Sequence, residues 1–249
     1  MIKQINNEAE FSQLLEKGLE AQKIRALYQA YGLDYRFCRF YRQSDSYISV
    51  LDRSFVICEG ANADYDELSD FLCMQGFADV FCSDIAGKAL SDRLGCGFNL
   101  VNLMKFCGGP PSSGFEDEPS LSDVYKIISD GFDIEFEPWY LDMSHRVRHG
   151  ISKCCMLNGK AALVIQHDIN GEALLSQVAS LRAHRGEGLA KKLVTSVASS
   201  LAPSEVYVVC EDSLVGFYEK CGFVKAGRKC VIKCDRRSLD GIRQREVKR

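Results

Sequence analysis

Apolar residues at Phe11, Leu14, Leu15 and Leu19 recur at helical spacing and predict a helix over residues 8–31. Short β-rich runs follow at 37–41, 47–51 and 55–58, then a helical stretch at 65–74 and a strand at 78–82. The second half has a clearer pattern. Residues 121–128 read as a helix that Ser120 or Ser122 could cap. Strands at 151–157 and 160–166 are joined by Asn158-Gly159, a type I′ hairpin signal. A second Asn-Gly pair, Asn170-Gly171, leads into a strand at 172–181. Leu189, Leu193, Val197 and Leu201 then form the stripe of a helix over 188–201. The apolar run 205–210 suits a strand buried on both faces, which makes strand, helix and strand a right-handed parallel crossover. A shorter helix at 212–221 and strands at 223–225 and 229–234 complete the pattern.

The stretch 108–119 packs Gly, Pro, Ser and acids together, too rich in breakers for helix or strand. It divides the chain into a smaller N-terminal α/β domain, 1–114, and a C-terminal domain, 115–249. The fold class is α/β (α+β), with a mixed, mostly antiparallel sheet flanked by helices in the second domain. At 249 residues the chain has room for two cores.

With 46% hydrophobic and 26% charged residues the composition is that of a globular protein. No apolar run reaches the roughly 18 residues of a membrane helix, and the polar start lacks the apolar segment of a secretory signal. A net charge of −3 gives no general case for nucleic acid. The tail 235–249 carries six bases and three acids, a weak signal on an acidic body. Twelve cysteines, none in a CxxC pair and most among apolar neighbours, read as buried thiols in a reducing, cytoplasmic setting. No metal is expected: His145 and His149 stand at i, i+4, a spacing that can bind a metal, but no third ligand is in view.

The chemistry concentrates in RAHRGEGLA, residues 182–190, between a strand and a helix. Two glycines let the backbone pass close to a ligand. The first helical N–H groups lack internal partners, and the helix dipole adds positive potential. Together they suit a pyrophosphate. The segment has neither the Lys-Ser/Thr of a P-loop nor the third glycine of a dinucleotide fingerprint.

Residues 185–190, RGEGLA, resemble the [RQ]xxGx[GA] acyl-CoA signature of the GNAT superfamily of N-acetyltransferases. FYEKCGF at 217–223 resembles that superfamily's second hallmark, in the right order and at the right spacing. The resemblance covers about 120–234. It implies acetyl-CoA as cosubstrate and transfer of an acetyl group to a primary amine of a small molecule or polypeptide by direct attack. The pyrophosphate would then lie on the backbone of Arg185, Gly186, Glu187, Gly188, Leu189 and Ala190. The acyl-pantetheine arm would lie along Val178, Ala179 and Ser180, where strands 172–181 and 205–210 splay. Tyr218 stands at the family's tyrosine position and would protonate the leaving thiolate. Glu172 and Glu211 are the candidates for general base. A CoA-binding regulatory or scaffold protein without turnover is the other class that fits the same loop.

Residues 115–142 hold nine acids and one base, Lys126. If they line the acceptor site, a cationic amine would be drawn there; a solvated acidic face is the alternative. In the first domain, FLCMQGF at 71–77 shares the FxxxxGF frame of 217–223, with Leu72 at the tyrosine position and no preceding RxxGxG loop. A degenerate second copy of the fold is one reading of it. That part would buttress the acceptor site or an oligomer interface, with a homodimer as the assembly to test.

Overall fold

The computed structural model describes residues 1–109 and 114–233; the basic tail and Cys234 lie outside the described residues. The chain forms two compact units, Met1–Val101 with the segment from Arg228, and Asn102–Gly227.

The first unit contains β1 (Lys3–Gln4), α1 (Leu19–Tyr31), β2 (Cys38–Gln43), β3 (Ser46–Leu51), β4 (Ser54–Cys58), α2 (Tyr65–Gln75), β5 (Asp79–Ser83), α3 (Asp84–Leu94) and the start of β6 (Phe98–Phe106). The predicted helix at 8–31 is cut short. Residues 8–11 form a separate 3-10 turn, and Gly18, at a φ of 111°, begins α1. Strands β2, β3 and β4 form an antiparallel meander, and β4 then pairs in parallel with β5. Ile48, Val50, Phe55, Ile57, Leu68 and Leu90 belong to its core.

The second unit contains β7 (Glu116–Asp117), α4 (Leu121–Ile128), α5 (Phe136–Arg148), β8 (Lys153–Leu157), β9 (Ala161–Ile169), β10 (Glu172–Ser180), α6 (Leu189–Ser200), β11 (Glu205–Cys210), α7 (Val215–Lys220) and the start of β12 (Phe223–Lys233). Both Asn-Gly pairs have positive φ at each residue (55° and 63°; 53° and 76°), as the two-residue hairpin turn requires. Strands β7 to β10 run antiparallel in order, and β10 pairs in parallel with β11 across the α6 crossover. Leu189, Leu193 and Val197 of α6 pack on Leu163, Ile165 and Leu175. Helices α4 and α5 supply Val124, Ile128, Trp139 and Met143 to the opposite face, against Ala162, Val164 and Ala179. The sheet is mixed and mostly antiparallel, with helices on its faces.

The division into units differs from the expected one near residue 115. It falls inside β6 and β12, because strand pairing rather than loop composition holds each sheet together. Residues Asn102–Lys105 of β6 pair with β11, and Lys229–Lys233 of β12 pair with β5. The breaker-rich stretch is also not wholly irregular: Glu116 and Asp117 pair with Met156 and Cys155. Residues 223–233, expected as two strands, form the single strand β12. Ser120 does precede α4, but its side chain makes no capping bond.

The two units repeat one sequence of elements: three antiparallel strands, a helix, a parallel strand, a helix and a strand. This order makes α2 the counterpart of α6, and α3 that of α7. The FxxxxGF frame at 71–77 therefore falls on the end of α2 and the turn after it, not on the counterpart of 217–223. The matching residues are Cys96-Gly97-Phe98, between α3 and β6, against Cys221-Gly222-Phe223.

Candidate active site

Strand β10 ends at Ser180, and one 3-10 turn, Arg182–His184, leads to Gly186 and Gly188. These glycines have φ of 90° and 75°, and a Cβ on either would meet no protein atom within 4 Å. Their requirement is conformational, and the space above them is open. Gly188 is the N-cap of α6, so no side chain occupies the helix start, and the first turn holds no acid. The first α6 hydrogen bond runs from Lys192 N to Gly188 O (3.0 Å), leaving the amides of Leu189, Ala190 and Lys191 without intrahelical partners.

Asp130, after α4, fixes the loop. Its carboxylate accepts from the backbone N–H of Arg182 (2.5 Å), while its carbonyl accepts from Arg185 Nη2 (3.2 Å). His184 Nδ1 lies 2.8 Å from Glu187 Oε1. That bond holds the Glu187 carboxyl below its ordinary pKa and turns it to His184.

A cleft of about 740 Å3 opens over this loop. Val178, Ala179 and Ser180 form one wall, with Arg185, Gly186, Gly188, Leu189 and Ala190 at the mouth. Of the residues predicted to hold the cosubstrate, Glu187 alone does not line it. His184, Arg185, Lys191 and Lys220 do, and no carboxylate does, so the lining favours an anion. Gly131, Phe132, Leu214, Phe217 and Tyr218 complete the lining.

The parallel ladder of β10 and β11 runs from Glu172/Glu205 to Leu175/Val208 and stops there, although both strands continue. Beyond that point β10 carries a bulge against β9, between Ser176 and Ala179. Gln177, inside it, has a φ of 49°, uncommon for a non-glycine residue. The Trp139 indole of α5 donates to Gln177 Oε1 (2.9 Å). Nothing in the sequence around Gln177 signals this bulge.

Tyr218 is 7% exposed and lies against Phe217 and Phe223, with ring centroids at 5.0 and 5.7 Å. Burial first, then the nearby Cys210 and Cys221, pushes its phenol well above the ordinary value, so it stays protonated at neutral pH. Both candidate bases lie outside the cleft. Glu172 is buried at the far end of β10, in the closed part of the ladder opposite Glu205. Glu205 itself accepts from Lys105 (2.6 Å) and Tyr207 (2.8 Å). Glu211 is exposed beyond β11, where its carbonyl accepts from Leu214 N.

None of the nine acids of 115–142 lines the cleft. Asp123 pairs with Lys126, Asp130 with Arg182 and Asp142 with Arg146. His145 and His149 stack on α5 (4.2 Å), and among the described residues no group of His, Cys, Asp and Glu could hold a metal ion.

Residues 142–233 match the sequence model of the acetyltransferase (GNAT) domain. The C-terminal half carries a GNAT acetyltransferase domain. No curated protein matches the chain. Among solved structures, a Drosophila protein aligns with a TM-score of 0.65 at 13% identity, covering 94% of this chain and 98% of that one. A GCN5-related N-acetyltransferase from Kribbella flavida aligns at 0.58 and 13%, covering 86% and 93%. A tandem GNAT protein from the clavulanic acid biosynthesis pathway aligns at 0.53 and 8%, covering 94% and 98%. At these identities the likeness is one of fold. The tandem protein's likeness spans both units, in keeping with a GNAT-like N-terminal copy. Among the described residues, no helix is long and apolar enough to cross a membrane.

Proposed function

We propose that the protein is an N-acyltransferase that moves an acetyl group from acetyl-CoA to a primary amine. The observation that carries this reading is the uncapped start of α6, at the mouth of a cation-lined cleft that runs along β10 toward the opened ladder. The pyrophosphate of acetyl-CoA sits on the amides of residues 185–190, where the lining cations Arg185, Lys191 and Lys220 and the helix dipole favour it. The pantetheine arm lies along Val178–Ser180. The neutral amine attacks the thioester carbon, the C–S bond breaks, and the thiolate leaves. Holding both reactants in one dry cleft supplies most of the rate.

Tyr218 faces the leaving sulfur and donates its proton or a hydrogen bond to it. Glu172 and Glu211 do not reach the cleft, so the proton lost by the amine passes to solvent.

Incubation with acetyl-CoA and a panel of primary amines, followed by thiol release and product mass, tests the proposal. Release that requires an amine, with a product 42 Da heavier, is expected from the mass of an added acetyl group (about 42 Da). CoA binding with no release on any amine would leave a carrier without turnover.

A further inference from the structure

Cys82 of β5 and Cys230 of β12 stand directly opposite each other in an antiparallel pair. Residues opposite in register send their side chains to the same face of a sheet. Both are fully buried, in the core that also holds Val80, Ala86, Leu90 and Ile232. Their sulfurs lie under the same point of α3. A Cβ built on Gly87 would stand 2.1 Å from Cys230 Sγ and 3.6 Å from Cys82 Sγ, so only a glycine lets the helix lie this close. The Cys82 thiol donates to the Cys230 sulfur, a bond that raises the pKa of Cys82 and lowers that of Cys230. Among the described strand pairings, no other sets cysteine against cysteine.

Opposite residues of an antiparallel pair have Cα atoms about 4.5 or 5.5 Å apart. A disulfide spans Cα separations of about 4.4–6.8 Å. The backbone therefore holds these two thiols at bonding range in either kind of pair. Buried as they are, neither is within reach of another molecule's thiol while the chain is folded, which leaves a small oxidant. We propose that Cys82 and Cys230 form an oxidation site, at which hydrogen peroxide converts the two thiols into a disulfide between β5 and β12.

The Cys230 sulfur, as thiolate, takes one peroxide oxygen as the O–O bond breaks, and the other oxygen leaves as water with the proton Cys230 lost. The Cys82 sulfur then attacks the resulting sulfenic sulfur. The S–O bond breaks, and a second water leaves with the Cys82 proton. Two thiols and one peroxide give one disulfide and two waters; the sulfurs lose two electrons to the peroxide. Residues Asn102–Gly227, the unit with the candidate active site, lie between the two cysteines in the chain, so the bond closes that whole unit into one covalent loop. Closing so long a loop restricts the unfolded chain and stabilises the folded one. The site is independent of the acyl-transfer reading.

The full chain is treated with hydrogen peroxide, cleared with catalase, alkylated in urea and digested without reductant. The expected product is a peptide pair joined through Cys82 and Cys230, about 2 Da lighter than the two reduced peptides together, which dithiothreitol returns to free thiols. The urea midpoint of the oxidised protein should rise by roughly 1 M and fall back on reduction. The exposed Cys107 reports that the oxidant has acted. If Cys107 is oxidised while Cys82 and Cys230 are both recovered alkylated, or if either is joined to a different cysteine, the assignment falls. It falls as well if the same bridge forms equally when peroxide is added to the protein already unfolded in urea, since the strand register would then have no part in it.

Discussion

Helices α2 and α6 follow β4 and β10 and precede the strands, β5 and β11, that pair in parallel with them. Their first turns differ in chemistry. At α2, Asp64 is the N-cap, and its carboxylate accepts from the amides of Asp66 and Glu67 (3.0 and 3.1 Å). Asp66 and Glu67 add negative charge to the same turn. At α6 the N-cap is a glycine, no acid stands in the first turn, and Lys191 lies beside the open amides. One helix start satisfies its own dipole; the other leaves it for a ligand. The second helix pair differs as well. Aligning Cys96-Gly97-Phe98 with Cys221-Gly222-Phe223 puts Arg93 where Tyr218 stands. Arg93 forms an ion pair with Asp66 of α2, whereas Tyr218 lines the cleft. The same order of elements thus carries a self-capped first turn in one unit and an uncapped one in the other.

Placing a carboxylate at the start of α6 should break this difference most strongly. Gly188→Asp keeps a residue type that tolerates positive φ and brings a negative charge to the cleft mouth. CoA affinity measured by calorimetry should fall roughly 100- to 1,000-fold, through lost amide contacts and like-charge repulsion. A folded variant with unchanged affinity would remove the α6 start from the binding site.

The second test concerns the other end of the cleft. Tyr218→Phe should lower kcat roughly 10- to 100-fold and leave CoA affinity unchanged. The low end of the general-acid range is expected because burial makes this phenol a reluctant proton donor. Equal kcat in both proteins, with chemistry rate-limiting, would assign Tyr218 to packing against Phe217 and Phe223.

The active half was legible where function or turn geometry dictates residue type. Gly186 and Gly188 announce positive φ and close approach, and each Asn-Gly pair announces a hairpin. No helix was expected over α5, which contains Pro138. It stands in the first turn of α5, where its missing N–H costs nothing. Strand β6 was missed beside Gly95 and Gly97, and the Gln177 bulge carries no glycine to mark it. Glu172 has the spacing of a base in the sequence, but only the ladder shows that it lies in a closed part of the sheet. Among the acids of 115–142, Asp130 pairs with Arg182, a partner distant in sequence, whereas Lys126 and Arg146 stand within four residues of Asp123 and Asp142.

A smaller effect tests whether the acids alone keep α2 from being a second site. Asp64→Ala frees the amides of Asp66 and Glu67 and should cost about 1 kcal/mol of stability, read from urea unfolding. CoA stoichiometry should stay at one per chain, because Asp66 and Glu67 remain. A second CoA bound by Asp64→Ala would mean that the cap by itself had closed an otherwise competent site.

The smallest effect is expected at Glu67. Burial raises the pKa of its carboxyl, but Gln43 Nε2 (2.8 Å), the Met1 ammonium (3.1 Å) and the Ile2 amide (2.6 Å) outweigh it, so the net shift is downward. A carboxyl depressed in the folded state adds stability above its unfolded pKa, near 4.3, and loses it as pH falls through the folded value. The side chain is 30% exposed, so solvent screening holds the contribution to about 0.5 kcal/mol. Glu67→Gln should therefore lower the urea midpoint slightly at pH 7 and match wild type once the pH is well below the folded pKa. The α6 start has no acid in its first turn and contributes no such term. Gly188→Ala should accordingly shift the midpoint by the same amount at pH 7 and at low pH. If Glu67→Gln also shifts it equally at both, Glu67 holds its partners by hydrogen-bond geometry rather than by charge.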